Sequence, residues 1–328
     1  MSSVKEVAER AGVSPATVSR VINNDPTVKP ETRRKVQQII ELINYKPNQF
    51  AKNLRKQASK IIVMVLPTMN NPFFAGIARG AQAATYKNGY HIITGTTEFN
   101  KWQLDAYINL LRTNLADGII FVSLHASKDV LGDVFNKYPV VLCNEYFEDL
   151  EVPCVTIDNH KAGYDAAREL TSRGKKNIAY VTGTRKSSSG AGRLNGYKQA
   201  LSEAGIDYNP HLVVKAKSVL EQIKDAINGI KEKGLEIDAI LTNSDLQASY
   251  ILKGIKDRTI FLPPDISLIS FDGTFVSEIT NPSLTTVAQP MYELGYKSVE
   301  MLIQKLQNKN HIQENVVHLP HQLIIRET

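Results

Sequence analysis

Beyond residue 60, short β-branched apolar runs alternate with amphipathic stretches of helical spacing. The runs fall at residues 61–66, 92–93, 118–122, 140–143, 178–182, 239–242 and 266–270. Strands that alternate with helices in this way form parallel sheets covered by helices. The pattern occurs twice, with a break near Asp158-Asn159, so we expect an α/β domain with two lobes.

The first sixty residues carry all of the excess positive charge. They hold 12 Lys and Arg against 5 Asp and Glu, a net charge of +7, which leaves the rest of the chain at −1. The full length of 328 residues also exceeds a single core, because such cores stop growing near about 250–300 residues. We therefore predict a small basic domain before a large neutral one, with the basic domain as the candidate for phosphate contact.

Cysteine content and hydropathy argue against several protein classes. Two cysteines, Cys143 and Cys154, are too few for a disulfide framework, and Cys143 is expected to be a buried free thiol. No run approaches the ~18 apolar residues of a membrane span. The heavily charged residues 4–11 do not fit the apolar core of a secretion signal. We therefore expect a cytoplasmic protein with no membrane association.

Three helices are predicted within the first 45 residues. The first ends at Gly12, Ser14-Pro15 suits the start of the second, and Pro30 opens the third. Only residues 12–13 separate the first two helices, which forces them to cross steeply. This small all-α arrangement is typical of a helix-turn-helix, and a plain helical bundle is the alternative.

The outer face of the second predicted helix is polar, which a plain bundle does not require. Residues 4–23, VKEVAERAGVSPATVSRVIN, resemble the signature of the lactose- and purine-repressor family. Thr32-Arg33 and Asn44-Tyr45-x-Pro47-Asn48 also fall where this family has them. The resemblance implies a repressor whose second helix lies in the major groove of double-stranded DNA.

The resemblance places the base contacts on this second helix. In the family, the two residues after the matching serine and a later arginine contact bases, and here these are Pro15, Ala16 and Arg20. The first two lack hydrogen-bonding side chains, so readout is expected to rest on Arg20 facing guanine, with Ala16 at most touching a thymine methyl. The remaining polar residues are expected to hold phosphates, with plain surface polarity as the alternative for Thr17 and Ser19. The predicted contact set is Ser14, Pro15, Ala16, Thr17, Ser19, Arg20 and Asn23.

A hinge at residues 47–60 is predicted between a DNA-binding domain at 1–46 and a large domain at 61–328. Family members order this segment as a helix on DNA and press a leucine into the minor groove, and Leu54 matches that leucine. So short a helix is marginal in water and needs support, and a flexible basic linker is the alternative. The predicted hinge contacts are Asn48, Ala51, Leu54 and Arg55.

The large domain resembles the periplasmic sugar-binding proteins, which share their fold with this repressor family. Residues 70–74, 193–197, 271–274 and 285–289 carry the resemblance, each at or near a predicted strand end. Ligands of open α/β sheets bind at the carboxyl ends of strands. Aromatic faces, an arginine, a carboxylate and amides suit the C–H groups and hydroxyls of a sugar. The expected ligand-binding residues are Asn71, Phe73, Phe74, Arg193, Ser244, Phe271, Asp272 and Gln289.

The ligand itself stays open at this point. Ser244 stands where those relatives usually have asparagine, core packing is the alternative for both phenylalanines, and a strand-end cap is the alternative for Asp272. The RKSSS segment at residues 185–189 could bind a phosphorylated ligand, although a solvated loop is favoured. A free sugar, a sugar phosphate and a nucleoside all remain possible effectors, and an effector could either release the protein from DNA or tighten its binding.

Two other functions compete with the ligand-controlled repressor. A transport-associated binding protein explains only the large domain. An α/β enzyme is disfavoured because Gly190-x-Gly192-x-x-x-Gly196 lacks the dinucleotide-binding spacing and the histidines lack metal-ligand spacing. We therefore expect no catalytic residue, cofactor or metal. The expected partners are a near-palindromic operator, a sugar-like effector and a second copy of the chain, because two related recognition helices suit a palindromic site.

Overall fold

The computed structural model describes residues 3–45, 58–98, 100–123, 128–146, 151–263, 265–307 and 315–328, with the backbone alone for 128–130. The chain divides into two compact units, residues 1–59 and 60–328. Each unit has a hydrophobic core of its own. Both predicted classes, a small helical domain and a two-lobed α/β domain with parallel sheets, are confirmed.

In its described residues, the first unit has three helices around a small apolar core. These are α1 (Val4–Ala11), α2 (Pro15–Ile22) and α3 (Pro30–Leu42). Gly12 ends α1 with φ +65°, a left-handed conformation that glycine adopts without steric cost. The Ser14 hydroxyl then caps α2 by accepting from the Thr17 N–H. This pair of local signals explains why the predicted tight turn forms. The fully or nearly buried core residues are Val7, Ala8, Ala11, Val18, Val21, Val36 and Tyr45.

The second unit contains two six-stranded sheets. The first sheet is parallel throughout and has helices on both faces. Its spatial order is β11 (Val316–Leu319), β5 (Cys154–Ile157), β4 (Val140–Cys143), β3 (Gly118–Val122), β1 (Ile61–Leu66) and β2 (His91–Thr96). The helices of this first lobe are α4 (Pro72–Lys87), α5 (Lys101–Arg112), α6 (Lys128–Lys137) and α12 (Met291–Leu306).

The second sheet repeats the first with one reversal, because β12 pairs antiparallel with β10. Its spatial order is β12 (Gln322–Ile324), β10 (Thr285–Ala288), β9 (Ser267–Asp272), β8 (Ala239–Thr242), β6 (Ile178–Thr182) and β7 (Val213–Lys215). The helices of this second lobe are α7 (Asn159–Ser172), α8 (Ser188–Glu203), α9 (Leu220–Glu232), α10 (Asp245–Lys256) and α11 (Val276–Ile279), with a short 3₁₀ turn at Pro210–Leu212.

Between the described strands and helices, the chain passes from one lobe to the other three times. The first crossing follows β5, at the break predicted near Asp158-Asn159. The second follows β10 and leads into α12, and the third joins β11 to β12. Three adjacent connections tie the two lobes together while leaving their facing strand ends free to form a cleft.

Each lobe is built around one pair of helices that approach very closely. A Cβ atom on Gly80 of α4 would lie 1.9 Å from the Tyr292 carbonyl oxygen of α12. A Cβ atom on Gly196 of α8 would lie 2.0 Å from the His160 carbonyl oxygen of α7. Gly196 belongs to the glycine motif that does not fit a dinucleotide-binding loop. Its role is to let two helices touch through their backbones.

The two cysteines lie on neighbouring strands but pack in different cores, Cys143 with α4 and α12 and Cys154 with α5 and α6. Both are buried free thiols, as predicted for Cys143. Burial raises the pKa of Cys143 to about 12, so its thiol is unreactive at neutral pH. None of the helices in the described part of the chain is long and apolar enough to span a bilayer.

Candidate functional site

Helix α2 turns one face into the core of the first unit and leaves the other in water. Val18 and Val21 are buried, whereas Pro15, Ala16 and Arg20 are exposed. The three residues expected to face bases therefore share the solvent side of one helix. This exposed side is what a recognition helix in the major groove requires.

The side chains of three residues in the predicted DNA-contact set, Ser14, Thr17 and Asn23, have hydrogen-bond partners at helix α2 itself. The Ser14 hydroxyl caps the helix and lies 2.9 Å from the Thr17 hydroxyl. The Asn23 side-chain amide donates to the Ser19 carbonyl oxygen at 2.9 Å. Ser14 is therefore needed for the helix itself.

The basic segment at residues 33–35 contains one arginine that the sequence did not identify as structural. The Arg33 guanidinium donates to the Asp25 carbonyl oxygen at 2.6 Å and to the Asn24 side chain at 3.2 Å. These bonds hold the loop between α2 and α3. Arg34 and Lys35 are exposed and are the remaining candidates for phosphate contact in this segment. The predicted hinge contacts, Asn48, Ala51, Leu54 and Arg55, lie outside the described residues.

The second unit contains a cleft of about 490 Å³ between its two sheets. Residues that follow β1, β2, β3 and β4 line it from the first lobe. Residues that follow β6, β7, β8 and β10, together with Asp272 at the end of β9, line it from the second. Carboxyl ends of parallel strands are where open α/β sheets bind ligands. Seven of the eight predicted ligand residues line this cleft: Asn71, Phe73, Phe74, Arg193, Ser244, Asp272 and Gln289.

Phe271 is the exception, because it is not among the residues that line the cleft. Its side chain is fully buried in the core of the second lobe, and the Arg193 guanidinium lies 4.2 Å from its ring centroid. Phe271 packs with the second-lobe core, whereas Asp272, the last residue of β9, lines the cleft. The ring of Phe271 packs against the guanidinium of Arg193 on the side of the second-lobe core.

Arg193 is a buried guanidinium with fixed partners. It is only 4% exposed, its Nε donates to the Asn159 side chain at 2.9 Å, and one terminal nitrogen donates to the Asn243 carbonyl oxygen at 3.1 Å. These bonds and the ring of Phe271 hold the guanidinium in one orientation at the cleft surface.

Asp272 links the two lobes across the cleft. The Asn71 side-chain amide of the first lobe donates to it at 3.3 Å, and the Gln289 amide donates at 3.0 Å. Burial, followed by the charge of Asp245, raises the pKa of Asp272 to about 7, against the opposing effect of Arg193. Its backbone has φ +107°, an uncommon conformation for a residue with a side chain. Such strain at a cleft surface suits a functional position.

Asp245 holds together the strand ends around Asp272, a role that the sequence did not indicate. Its carboxylate is fully buried and accepts bonds from the hydroxyls of Ser270, Thr274 and Thr286, and from the Thr274 N–H. Burial raises its pKa even though these hydrogen bonds favour the ionised form. The adjacent Ser244 caps α10 by accepting from the Gln247 N–H, so its side chain holds the helix start beside the cleft.

The aromatic pair occupies the first-lobe wall of the cleft. Phe73 is 3% exposed and belongs to the first-lobe core, whereas Phe74 is half-buried. Their rings meet edge to face with centroids 5.4 Å apart. Phe73 therefore belongs both to the first-lobe core and to the cleft wall, whereas Phe74 has the ring that a ligand can reach more easily.

Two further polar residues line the cleft directly after β4, and the sequence did not single them out. Asn144 has φ +70°, and its amide nitrogen donates to the Ser123 hydroxyl at 2.8 Å. Its side-chain oxygen and that of Gln289 are buried without a hydrogen-bond partner among the described residues. Glu145 is 6% exposed and contacts the start of α8. The polar Asn-Glu pair that ends an apolar run was the available signal.

Comparisons with known proteins cover nearly the whole chain. The family model for bacterial regulatory proteins of the lacI family matches residues 3–48, and the model for periplasmic binding proteins and the sugar binding domain of the LacI family matches residues 59–327. Catabolite control protein A of Priestia megaterium is 34% identical over 331 residues, or 99% of this chain and 98% of the relative. The solved complex of the transcriptional regulator CelR with cellobiose is 26% identical, covers 100% of this chain and 99% of its own, and has a TM-score of 0.75.

A helix-turn-helix with an exposed recognition face, in one chain with a two-lobed sugar-binding-type domain, defines a DNA-binding transcriptional regulator and not an enzyme. The lac repressor dimer on its operator has the same fold, with a TM-score of 0.87 at 22% identity over 100% of this chain and 98% of its own. The chain belongs to the lacI family of bacterial regulatory proteins, as its first residues predicted.

Proposed function

We propose that this regulator represses carbohydrate-utilisation genes and that a sugar-like effector, bound between the lobes, sets its affinity for operator DNA. The observation that carries the proposal is the cleft of about 490 Å³, in which the buried polar side chains of Arg193, Asp272 and Gln289 are combined with the half-buried ring of Phe74. A few fixed polar groups in a partly apolar cleft are typical of a small-molecule site. Sugar hydroxyls can both donate to such groups and accept from them.

The rest of the cleft suits the same ligand class. The carboxylate of Asp272 accepts hydroxyl hydrogen bonds, Arg193 donates from a fixed orientation, and Phe74 offers an apolar face to ring C–H groups. Asn71, Phe73, Ser244 and Gln289 complete the proposed ligand-binding set. The role of Phe271 in it is indirect, through Arg193.

On the DNA side, Arg20 is proposed to contact guanine in the major groove while Ala16 touches a thymine methyl. Pro15 would then contact apolar base edges, and the polar residues of the set would position the helix on phosphates. The exposure of Pro15, Ala16 and Arg20 on α2 supports the assignment of the base contacts. The target is a near-palindromic operator in the cytoplasm, bound by two copies of the chain.

Coupling between the two sites is proposed to run through the hinge. In this proposal residues 1–46 bind the operator, 47–60 form the hinge, and 61–328 bind the effector and the second copy. A change in the angle between the lobes would alter the spacing of two Leu54 side chains at the minor groove. The Asn71–Asp272 bond across the cleft gives a ligand a direct way to favour one lobe arrangement.

The test is a selection with fragmented genomic DNA from the source organism. The purified protein should retain one near-palindromic site, and the neighbouring genes then name the sugars to titrate. Sequence-blind retention that modest salt abolishes would contradict the proposal, because it would show that the basic first unit binds phosphates alone.

A further inference from the structure

The start of helix α8 in the second lobe is in contact with a carboxylate from the first lobe. Glu145, which follows β4, accepts from the Ser188 hydroxyl at 2.7 Å and from the Ser189 hydroxyl at 2.5 Å. It also accepts from the Ser189 backbone N–H at 3.2 Å. The Tyr146 N–H completes the contact by donating to the Ser188 hydroxyl at 3.0 Å.

These contacts occupy a natural anion site. Helix α8 has 16 residues, and the amino terminus of a helix carries partial positive charge and unpaired N–H groups that favour anions. Ser187 caps the Gly190 N–H, and Glu145 takes the Ser189 N–H and both neighbouring hydroxyls. The Glu145 side chain is nine-tenths buried and lines the cleft. The protein's own carboxylate therefore stands where a ligand phosphate would bind.

We propose that Glu145 makes the cleft selective for uncharged ligands and excludes phosphorylated or carboxylated ones. The inference rests on the proposed function of the cleft as the effector site and names the effector class within it. A second anion brought to α8 would meet a buried negative charge at close range, where solvent screens poorly. Among the ligands that the sequence left open, a sugar phosphate is thereby excluded.

The cations of the cleft do not offset this charge. Arg185 and Lys217 line the cleft but are exposed, so water and salt screen their attraction for an anion. Arg193 is buried but interacts electrostatically with Asp272, which weakens the attraction of Arg193 for an incoming anion. In the serine-rich segment that suggested a phosphate site, the Ser189 N–H and the hydroxyls of Ser188 and Ser189 thus donate to Glu145. The Gly190 N–H donates to the Ser187 hydroxyl.

The experiment measures inorganic phosphate binding to the full-length protein by isothermal titration calorimetry. Glu145→Gln keeps the side-chain shape and removes the charge, and Glu145→Ala opens the helix terminus. Glu203→Gln, at the other end of the same helix and exposed, is the matched control for loss of one negative charge. Phosphate bound by the basic first unit contributes equally to all four proteins.

Both Glu145 variants should bind phosphate at least about tenfold more tightly than the unmodified chain and Glu203→Gln. Equal phosphate affinity in all four proteins would overturn the proposal, whether that affinity is high or absent. Circular dichroism establishes that each variant is folded. Sugar-dependent operator binding of the unmodified chain is measured separately. Its absence would refute the proposed function, and the phosphate comparison would still decide the role of Glu145.

Discussion

Replacing Asp272 with asparagine should remove a defined part of the pH dependence of the protein's stability. Asp272 is 4% exposed, and burial together with the charge of Asp245 raises its pKa to about 7 in the folded chain. An unfolded chain has the ordinary aspartate value of about 3.9. Between these two pH values the folded chain keeps a proton that the unfolded chain has released. The free energy of unfolding therefore falls as pH rises through this window.

The magnitude follows from about 1.4 kcal/mol per pKa unit. From pH 5 to pH 8 the Asp272 carboxyl should reduce the free energy of unfolding by about 2–3 kcal/mol, with most of the change below pH 7. In Asp272→Asn this contribution is absent. The new amide faces the donating amides of Asn71 and Gln289, which adds an offset that does not vary with pH.

The assay is urea unfolding followed by circular dichroism at several pH values between 5 and 8, on both proteins. Burial also raises the pKa of Asp245, so the free energy of unfolding falls with pH through Asp245 in both proteins. We therefore predict that it falls more steeply for the unmodified chain than for Asp272→Asn. Parallel pH profiles for the two proteins would refute the reasoning, because they would mean that Asp272 is already ionised at pH 5.

Two further substitutions test the packing and the DNA contact. Gly80→Ala should destabilise the protein by about 1–3 kcal/mol in urea unfolding, because the new Cβ meets the Tyr292 carbonyl, whereas Gly229→Ala on α9 has open space and should be neutral or slightly stabilising. Equal effects would contradict the close-packing argument. Arg20→Ala should cost about 1–3 kcal/mol of operator binding and relax preference at one base pair in each half-site. A selection that returns an unchanged preferred sequence would rule out its proposed base contact.

Local signals in the sequence were sufficient to predict the helical unit. These signals act over a few neighbouring residues. In the structure Gly12 ends α1, and Ser14, directly before Pro15, caps the start of α2. Six central strands, β1, β3, β4, β6, β8 and β9, were equally visible because they are buried on both faces and read as continuous apolar runs. The central strands β5 and β10 were not among the predicted runs, because threonines interrupt their short apolar sequences. The edge strands β2, β7, β11 and β12 were missed in whole or part, since exposed edges mix polar residues with apolar ones.

Cleft residues were predicted where they end or directly follow a strand, and a contact was missed where its two residues are distant in sequence. Asp272 is the last residue of β9 and Gln289 follows β10, and both strands end at the cleft. The contact of Glu145 with Ser188 and Ser189 depends instead on the crossing between lobes, which no local pattern reveals. Phe271 does not line the cleft, because its ring packs in the second-lobe core against Arg193 of α8, a contact between residues distant in sequence.

The central claim is that a ligand in the cleft sets operator affinity. The most direct measurement is operator binding by fluorescence anisotropy, with and without a sugar that calorimetry shows to bind the protein, for the unmodified chain and Asp272→Ala. We predict that the sugar changes operator affinity and that operator DNA changes sugar affinity by the same factor. Asp272→Ala should still bind the operator, but the sugar should no longer change its operator affinity. A sugar that binds in the cleft yet leaves operator affinity unchanged would contradict it.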